Sequence, residues 1–385
     1  MISNKKLVRK FQNWETPFYY YDLELLQETL SVLCHQADKH QYHVHYAMKA
    51  NANSEVLNVI REAGLGADCV SGGEIHKAIE VGIPCSKIVF AGVGKADWEI
   101  KLALENDIFC FNVESIPEME VINQLAFLKN KKAKVMVRIN PNIAANTHHY
   151  ITTGLNENKF GIAMVDIPKV IEILPKLENL QLIGIHFHIG SQITDLASFR
   201  GLCLRVKEVE SLFADHQILL EHINVGGGLG INYEYPKENP IVDFESYFNV
   251  FKEHLKLRTN QKVHFELGRS LVAQCGSLIS KVLYVKEGAT KKFLILDAGM
   301  SDLIRPALYQ AYHFMENISS EEDEEIYDVV GPICESSDTF AKNFHLNKSK
   351  RGDLIAIHSV GAYGEVMAST YNLRKIPAVY TSKDL

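Results

Sequence analysis

The sequence predicts an α/β plus β fold, in which a closed (β/α)8 TIM barrel is followed by a mainly β domain of the barrel or sandwich type. Between residues 44 and 267, short β-branched runs alternate with amphipathic helical stretches, which is the pattern of consecutive βα units. After residue 269 this alternation stops, and short strand-like runs separated by Gly and Pro follow. We expect a barrel domain over residues 15–270 and a β domain over residues 271–385, with which the segment 1–14 can associate.

Eight strands can be assigned within the first region. They cover residues 44–48, 67–70, 88–91, 108–113, 134–139, 182–188, 222–225 and 263–267. Helical stretches lie between them, including residues 55–63, 73–81, 117–128 and 199–212. A further helix over residues 23–37, with Asp22 as its N-cap, precedes the first strand. Eight strands that alternate with helices make a closed barrel the most economical arrangement.

The second region contains five strand-like runs. They cover residues 276–285, 292–297, 325–330, 354–358 and 365–371. The acidic segment 321–325 is typical of a solvated loop, and we assign it no function.

The composition excludes several classes of protein. With 46% hydrophobic residues, 23% charged residues and a net charge of -7, the chain has no basic surface that would call for a nucleic acid. It has no apolar run of about 18 residues, so no membrane span is expected. Seven cysteines without a Cys-x-x-Cys pair argue against a disulfide framework or structural zinc. We therefore expect a cytoplasmic protein with no metal.

Polar residues follow the predicted strands at their carboxyl ends, where barrel enzymes build their sites. Lys49 ends the first strand and Glu266 the eighth, and closure of the barrel makes these two strands neighbours. Taken alone, Lys49 fits a structural lysine that reaches solvent better than a functional one. The functional alternative is an amine that forms an imine with a carbonyl group. For Glu266, the structural alternative is an ion pair inside the barrel.

A run of glycines, Gly226, Gly227 and Gly228, follows the seventh strand, where barrels commonly bind phosphate. Consecutive glycines let backbone N–H groups approach an anion, although a tight turn explains an isolated Gly triplet better. Gly268 and Arg269 follow the eighth strand, and they add another glycine and a cation at the position expected for phosphate. Together they favour the phosphate interpretation.

The sequence His186-Phe187-His188 ends the sixth strand and raises the alternative of zinc, because both imidazoles lie on one face of a strand. The later strands end in glycines and Glu266 rather than in further metal ligands. We therefore favour a stacking or hydrogen-bonding role for His188 and a core position for His186.

Five separated motifs now resemble the fold-type III pyridoxal-phosphate (PLP) decarboxylases, the alanine-racemase-like barrel group, and most closely its diaminopimelate decarboxylase branch. The resemblance covers almost the whole chain, and the motifs occur in the family's order. They are Tyr46-Ala47-Met48-Lys49-Ala50-Asn51, His188-Ile189-Gly190-Ser191-Gln192, Gly226-Gly227-Gly228-Leu229-Gly230, Glu266-Leu267-Gly268-Arg269 and Gly331-Pro332-Ile333-Cys334-Glu335-Ser336-Ser337-Asp338. Leu267 stands where the family has proline.

The resemblance implies a set of cofactor contacts. Lys49 would hold PLP as an internal aldimine, His188 would stack on the ring, and Glu266 would contact the pyridine nitrogen. The phosphate would be bound by Ser191, Gly226, Gly227, Gly228, Gly268 and Arg269. Cys334, supplied by the partner subunit of a homodimer, would be the acid that protonates the carbanion.

The resemblance also implies a substrate with a second carboxylate, meso-2,6-diaminopimelate, which would yield L-lysine and CO2. Arg305 and Tyr309 lie in a segment similar to the one that binds this distal carboxylate, and an arginine fork suits a carboxylate. Arg269 would assist them and Glu335 would bind the distal ammonium. Tyr363 would contact both cofactor and substrate.

Three alternatives remain at this point. A PLP racemase on the same barrel needs a second acid or base, for which Tyr363 is a candidate. A carboxynorspermidine decarboxylase also has a carboxylate to recognise. A catalytically silent homologue is disfavoured by the presence of Lys49 and Cys334. The segment 146–154, with His148 and His149, is a candidate lid, although an ordinary surface loop is the simpler interpretation.

Overall fold

A computed structural model describes residues 5–142 and 159–385, so the candidate lid at 146–154 lies outside the described residues. The strands are β1 Phe18–Tyr21, β2 His43–Ala47, β3 Gly66–Cys69, β4 Ile88–Phe90, β5 Cys110–Val113, β6 Ala133–Asn140, β7 Ile162–Ala163, β8 Leu180–His186, β9 His222–Asn224, β10 Lys262–Leu267, β11 Gly276–Glu287, β12 Lys292–Leu296, β13 Met315–Asn317, β14 Glu324–Val330, β15 Thr339–Asn347, β16 Leu354–His358 and β17 Ala378–Thr381. The α-helices are α1 Lys5–Phe11, α2 Leu23–Lys39, α3 Ser54–Glu62, α4 Gly72–Glu80, α5 Asp97–Glu105, α6 Ile116–Leu128, α7 Ile167–Ile173, α8 Ala197–Ala214, α9 Phe244–His254, α10 Arg269–Val272 and α11 Arg305–Tyr309.

Eight parallel strands close into a barrel in the order β5-β4-β3-β2-β10-β9-β8-β6, and β6 pairs with β5 to complete the ring. Each of the eight predicted strands corresponds to one of them, to within two residues at either end. Strands β2 and β10 are neighbours, with Glu266 opposite His45 in the register. The predicted barrel and the following β region are both confirmed.

Local sequence explains where the barrel helices begin. The side chains of Asn53, Ser71 and Ser115 each accept a hydrogen bond from a backbone N–H in the first turn of α3, α4 and α6, which satisfies donors that the helix leaves unpaired. Asp22 does the same for α2, because its Oδ1 accepts from the N–H of Leu25 at 3.0 Å. The predicted cap of this helix is therefore confirmed.

The later strands form a separate sheet in the order β13-β16-β11-β12-β14-β15, and β1 joins it by pairing with β11 and β17. Its core includes the buried side chains of Phe11, Phe18, Tyr20, Ile279, Leu354 and Ala356. The predicted strand over 365–371 is wrong. The chain forms 3-10 turns at Glu365–Met367 and Tyr371–Leu373 instead. No residue from 365 to 371 is buried, so no alternating buried face exists to hold a strand there.

The chain divides into two compact units. One comprises residues 30–230 and 243–268, and it contains the whole barrel. The other comprises residues 1–29, 231–242 and 269–385, and it contains the second sheet. The predicted domain limits, 15–270 and 271–385, place residues 15–29 and 231–242 with the barrel; those limits stay a prediction.

Three histidines form a hydrogen-bonded chain in the amino-terminal half of β2, β10 and β9. His45 Nδ1 lies 3.0 Å from the carbonyl oxygen of Lys87, His45 Nε2 lies 3.0 Å from His264 Nδ1, and His264 Nε2 lies 2.8 Å from His222 Nδ1. A carbonyl can only accept, so His45 carries its hydrogen on Nδ1, and the same tautomer follows for the other two rings. Protonation of His45 or His264 on Nε2 would put two donors face to face and break the chain.

Candidate active site

Glu266, at the carboxyl end of β10, is held by donors from three other barrel strands. Its Oε1 accepts from Asn112 Nδ2 at 2.8 Å and from Asn224 Nδ2 at 2.7 Å, and its Oε2 lies 2.9 Å from His186 Nε2. Burial by itself raises the pKa of this carboxyl group, but the attraction and hydrogen bond of His186, together with His45 and His188, outweigh burial and leave the pKa well below its ordinary value. Glu266 is therefore an ionised carboxylate inside the barrel.

His186, Asn112 and Asn224 were assigned no chemical role from the sequence. Predicted as a core residue, His186 is indeed only 1% exposed, but it also contacts Glu266 directly. An isolated Asn within an apolar strand is weak evidence for a functional site, since a buried amide often forms hydrogen bonds with nearby backbone groups instead. Their positions could have revealed them, because each lies on a predicted barrel strand and these strands either neighbour one another or face Glu266 across the barrel.

Lys49 lies in the 3-10 turn Met48–Ala50 directly after β2, and its side chain is exposed. Its positive charge affects the pKa of two carboxyl groups in the same unit. Burial raises the pKa of Asp68 well above its ordinary value, the charge of Glu266 adds to this, and Lys49 opposes it. Burial also raises the pKa of Glu74, again against Lys49. Lys49, Glu266 and Asp68 thus occupy the same end of the barrel.

Asp68 was also missed from the sequence. It lies on β3 opposite Ala47 in the register, it is 2% exposed, and its Oδ1 has no hydrogen-bond partner among the described residues. His186 Nδ1 is likewise buried and unpartnered within the described chain. Buried polar atoms without partners are rare in folded proteins, and in a cavity they are typical of groups that meet a ligand.

His188 follows β8 and faces the glycine run. Its Nδ1 accepts a hydrogen bond from the backbone N–H of Gly227 at 3.3 Å. Burial lowers the pKa of His188 well below its ordinary value, and the charges of Lys49 and Arg138 lower it further. Because Nδ1 accepts and the ring is neutral, the hydrogen lies on Nε2.

The glycine run and the segment that carries Ser191 are joined through their backbones. The N–H of Ile193 donates to the carbonyl of Gly228 at 2.8 Å, and the N–H of Gly230 donates to the carbonyl of Ile193 at 2.9 Å. Gly226 and Gly228 adopt φ angles of 70° and 103°, in the positive-φ region that favours glycine, so this run does turn the chain. Among the described residues, the N–H of Gly228 has no acceptor. The run can therefore both turn the chain and offer an amide to an anion.

Gly268 lies against the turn that carries Lys49. A Cβ atom added there would meet the Cβ of Ala50 at 3.0 Å and the Cβ of Ala47 at 3.1 Å, so a larger residue would push this turn outward by a few tenths of an ångström.

Two buried arginines lie together in the unit that contains the second sheet. Arg269 and Arg305 are 5% and 6% exposed, and both contact Tyr233. The Arg305 guanidinium carbon lies 5.7, 5.8 and 6.0 Å from the ring centres of Tyr233, Tyr309 and Tyr363. Burial lowers the pKa of Arg305, and the neighbouring charge of Arg269 lowers it further. No carboxylate of the described residues pairs with Arg305.

Tyr363 has an unusual backbone. Its φ angle is 57°, in the left-handed region that non-glycine residues seldom adopt. Its ring lies 4.9 Å from the guanidinium carbon of Arg269. Such strain is commonly retained at functional sites, because the surrounding structure must hold it in place.

Cys334 and Glu335 lie in an exposed loop of the same unit. Asp338 shapes this loop, since its two carboxylate oxygens accept from the N–H of Ile333 and the N–H of Met300, each at 2.6 Å. The Cys334 N–H donates to Asn372 Oδ1 at 3.2 Å, and Glu335 Oε1 accepts from the hydroxyl of Tyr371 at 2.6 Å. The loop backbone is thus held in place while the Cys334 side chain stays open to solvent.

The zinc alternative finds no support in the part of the chain that the structure describes. His186 and His188 each direct one ring nitrogen to a protein partner, and no group of three or more His, Cys, Asp or Glu in residues 5–142 and 159–385 could hold a metal ion. No helix in the same residues is long and apolar enough to span a membrane.

Comparison with known proteins settles the family. Residues 25–273 match the family described as pyridoxal-dependent decarboxylase, pyridoxal binding domain. The chain belongs to the PLP-dependent decarboxylases. Over 379 residues this decarboxylase is 62% identical to the diaminopimelate decarboxylase of Bacteroides thetaiotaomicron, with 98% of each chain covered. The resemblance inferred from the five motifs is therefore confirmed.

Other relatives of this decarboxylase agree. It is 42% identical over 366 residues to the diaminopimelate decarboxylase of Helicobacter pylori, covering 94% of this chain and 89% of that one. The crystal structure of the Helicobacter pylori enzyme complexed with L-lysine superimposes with a TM-score of 0.92 and 39% identity, covering 98% of this chain and 94% of that one. The lysine/ornithine decarboxylase of Vibrio vulnificus gives a TM-score of 0.85 at 20% identity and shows the shared fold alone.

Proposed function

We propose that this PLP-dependent decarboxylase acts on meso-2,6-diaminopimelate and releases L-lysine and CO2, as the last step of lysine biosynthesis. Its high identity to diaminopimelate decarboxylases supports the substrate. The observation that carries the proposal is the buried Arg305, which has no carboxylate partner among the described residues. A buried charge without a counter-ion is costly, so a substrate carboxylate is the natural partner.

The barrel residues fit PLP. Glu266 is an ionised carboxylate suited to a protonated pyridine nitrogen, and the N–H of Gly228 is available to a phosphate oxygen. Bound PLP supplies an electron sink for the carbon that loses CO2. We propose that Lys49 holds the cofactor through its amine, that His188 stacks on the ring, and that the phosphate is bound by Ser191, Gly226, Gly227, Gly228, Gly268 and Arg269.

We propose that the substrate contacts are built around the arginine cluster. Arg305, with Arg269 and Tyr309, would bind the distal carboxylate, and Glu335 would bind the distal ammonium. Tyr363 would contact both cofactor and substrate. The two arginines supply planar donor arrays that match a carboxylate in a way that a lysine does not.

We further propose a cytoplasmic homodimer in which Cys334 of the second copy is the acid. All seven cysteines are free, which fits a reducing compartment. Cys334 is exposed, and Leu373, beside the Asn372 that binds the Cys334 backbone, is 97% exposed. An exposed thiol and an uncovered leucine are what an intersubunit contact would bury.

The experiment that tests this function compares substrates. Purified protein with PLP is incubated with meso-diaminopimelate and, separately, with carboxynorspermidine, and CO2 release is measured. We expect a higher kcat/KM with diaminopimelate. The substitution Arg305→Lys, which keeps the charge but loses the fork, should raise KM for diaminopimelate by about tenfold or more. Efficient release from carboxynorspermidine alone would overturn the substrate assignment.

A further inference from the structure

The guanidinium of Arg305 is held by two residues that have no role in the proposed reaction. Arg305 Nε donates to His313 Nε2 and Arg305 Nη2 donates to the hydroxyl of Tyr233, each at 3.4 Å. The Tyr233 hydroxyl also accepts from Arg269 Nη1 at 2.5 Å. Both contacts to Arg305 are long for hydrogen bonds, so their effect comes from direction and burial rather than from strength.

His313 is fixed as an acceptor. Its Nδ1 lies 2.9 Å from the carbonyl oxygen of His358, and because a carbonyl only accepts, Nδ1 must carry the hydrogen. Nε2 then has a lone pair for Arg305. Burial lowers the pKa of His313 to about 3, and the charge of Arg305 contributes, so the ring stays neutral at physiological pH. A protonated ring would instead repel the guanidinium.

The surroundings of His313 hold its ring in place. His358 ends β16, and its own ring Nε2 lies 2.9 Å from Glu316 Oε1 on the neighbouring strand β13. His313 itself is 4% exposed and meets the ring of Tyr233 edge-on at 5.1 Å between centres. The His313 ring therefore cannot turn away from Arg305 without breaking its contacts with the His358 carbonyl and with Tyr233.

These contacts leave a defined set of donors for a ligand. A guanidinium has five N–H groups, of which His313 and Tyr233 engage one each, on Nε and Nη2. The Nη1 group and the second hydrogen of Nη2 have no acceptor among the described residues, and together they match the two oxygens of a carboxylate. Rotation of the guanidinium plane would lose that match.

We infer that His313 and Tyr233 are positioning residues that aim Arg305 at the second carboxylate of the substrate and so set the specificity of the enzyme. This inference rests on the proposed function. Neither residue needs to touch the substrate or the cofactor for the effect.

The test measures ligand binding to the PLP-loaded enzyme through the visible absorbance of the cofactor. L-Lysine retains the carboxylate distal to the reacting carbon, whereas cadaverine has the same chain and both amines but no carboxylate. His313→Leu should weaken lysine binding about tenfold and leave cadaverine binding within about twofold. His313→Gln, which can still donate to the His358 carbonyl and accept from Arg305, should restore most of the lysine affinity.

Tyr233→Phe provides a second variant, with the same expected direction, if His313→Leu fails to hold PLP. Tyr327→Phe is its matched control, since it removes a buried phenol that bonds Glu325 in the same unit. Equal weakening of lysine and cadaverine would mean a merely structural role and would overturn the inference. Loss of the proposed function is a separate outcome, because the unaltered enzyme would then show no CO2 release from diaminopimelate.

Discussion

His186 Nε2 lies 2.9 Å from Glu266 Oε2. Burial alone would raise the pKa of this enclosed carboxyl group, and the contact with His186 is the main reason that the pKa falls instead. Asn112 and Asn224 satisfy the other oxygen. The protein alone, without a ligand, therefore stabilises Glu266 as an ionised carboxylate. Such preorganised charge is the general means by which a protein tunes the electronics of a bound cofactor.

Replacing Glu266 by Gln should lower kcat by about a hundredfold while PLP binding is largely retained, because the amide cannot keep a pyridine nitrogen protonated. The measurement is steady-state kcat alongside PLP content. Glu80→Gln, at an exposed position of α4, is the matched control and should leave both unchanged. A Glu266→Gln enzyme with normal kcat would show that the carboxylate charge is not used.

Replacing Lys49 by Ala should abolish turnover and the visible absorbance of lysine-bound PLP. The substitution removes an exposed side chain, so the unfolding temperature of the PLP-free protein should change little. Lys87→Ala serves as a control for the loss of an exposed lysine in the same unit. A Lys49→Ala enzyme that retains both activity and absorbance would eliminate Lys49 as the PLP lysine.

Mixing two inactive variants tests whether Cys334 acts across a dimer. Lys49→Ala and Cys334→Ala subunits, mixed equally and allowed to exchange, should form about one half heterodimers, each with one intact site of two. Activity should then recover to about a quarter of that of the unaltered enzyme. If Cys334 serves its own subunit, mixing restores nothing above the residual activity of the variants.

The histidine chain in the amino-terminal half of the barrel strands predicts a loss of stability in acid. The pKa values of His45 and His222 are lowered to about 4, mainly by burial, and the charges of Lys262 and His43 contribute to the shift of His222. Unfolded histidines titrate near about 6.5, so unfolding takes up protons, and stability falls as pH drops from about 6.5 to about 4. For one fully buried ring, the slope within that window is at most about 1.4 kcal/mol per pH unit.

The urea midpoint of unfolding at several pH values between about 7.5 and about 4 measures this effect. His222→Asn keeps a donor for His264 but removes one titrating ring, so its stability should fall less steeply in acid than that of the unaltered protein. Parallel pH curves for the two proteins would contradict the assignment of the slope to this chain of histidines.

Part of this picture could be predicted from sequence, and the reason is physical. Barrel strands are buried on both faces, so each reads as a short apolar run, and the residue that ends it, such as Lys49 or Glu266, is conspicuous. By contrast, β1 was not predicted, because the four residues Phe18–Tyr21 are stabilised by pairing with β11 and β17, far away in the chain. The strand predicted over 365–371 failed because nothing buries one of its faces.

The chemical partners of the site were harder to predict. Asp68, Asn112 and His186 are single polar residues within apolar strands, and their meaning depends on which strand ends meet across the barrel. His313 has the same difficulty, since its role depends on the carbonyl of His358 and on Arg305. Sequence shows the residues but not the tautomer or the partner.

The most direct measurement is product analysis with meso-diaminopimelate and the PLP-loaded protein. We expect one CO2 and one L-lysine for each diaminopimelate consumed. Inversion of stereochemistry without CO2 release would instead identify a racemase, and no reaction at all would contradict the proposed function.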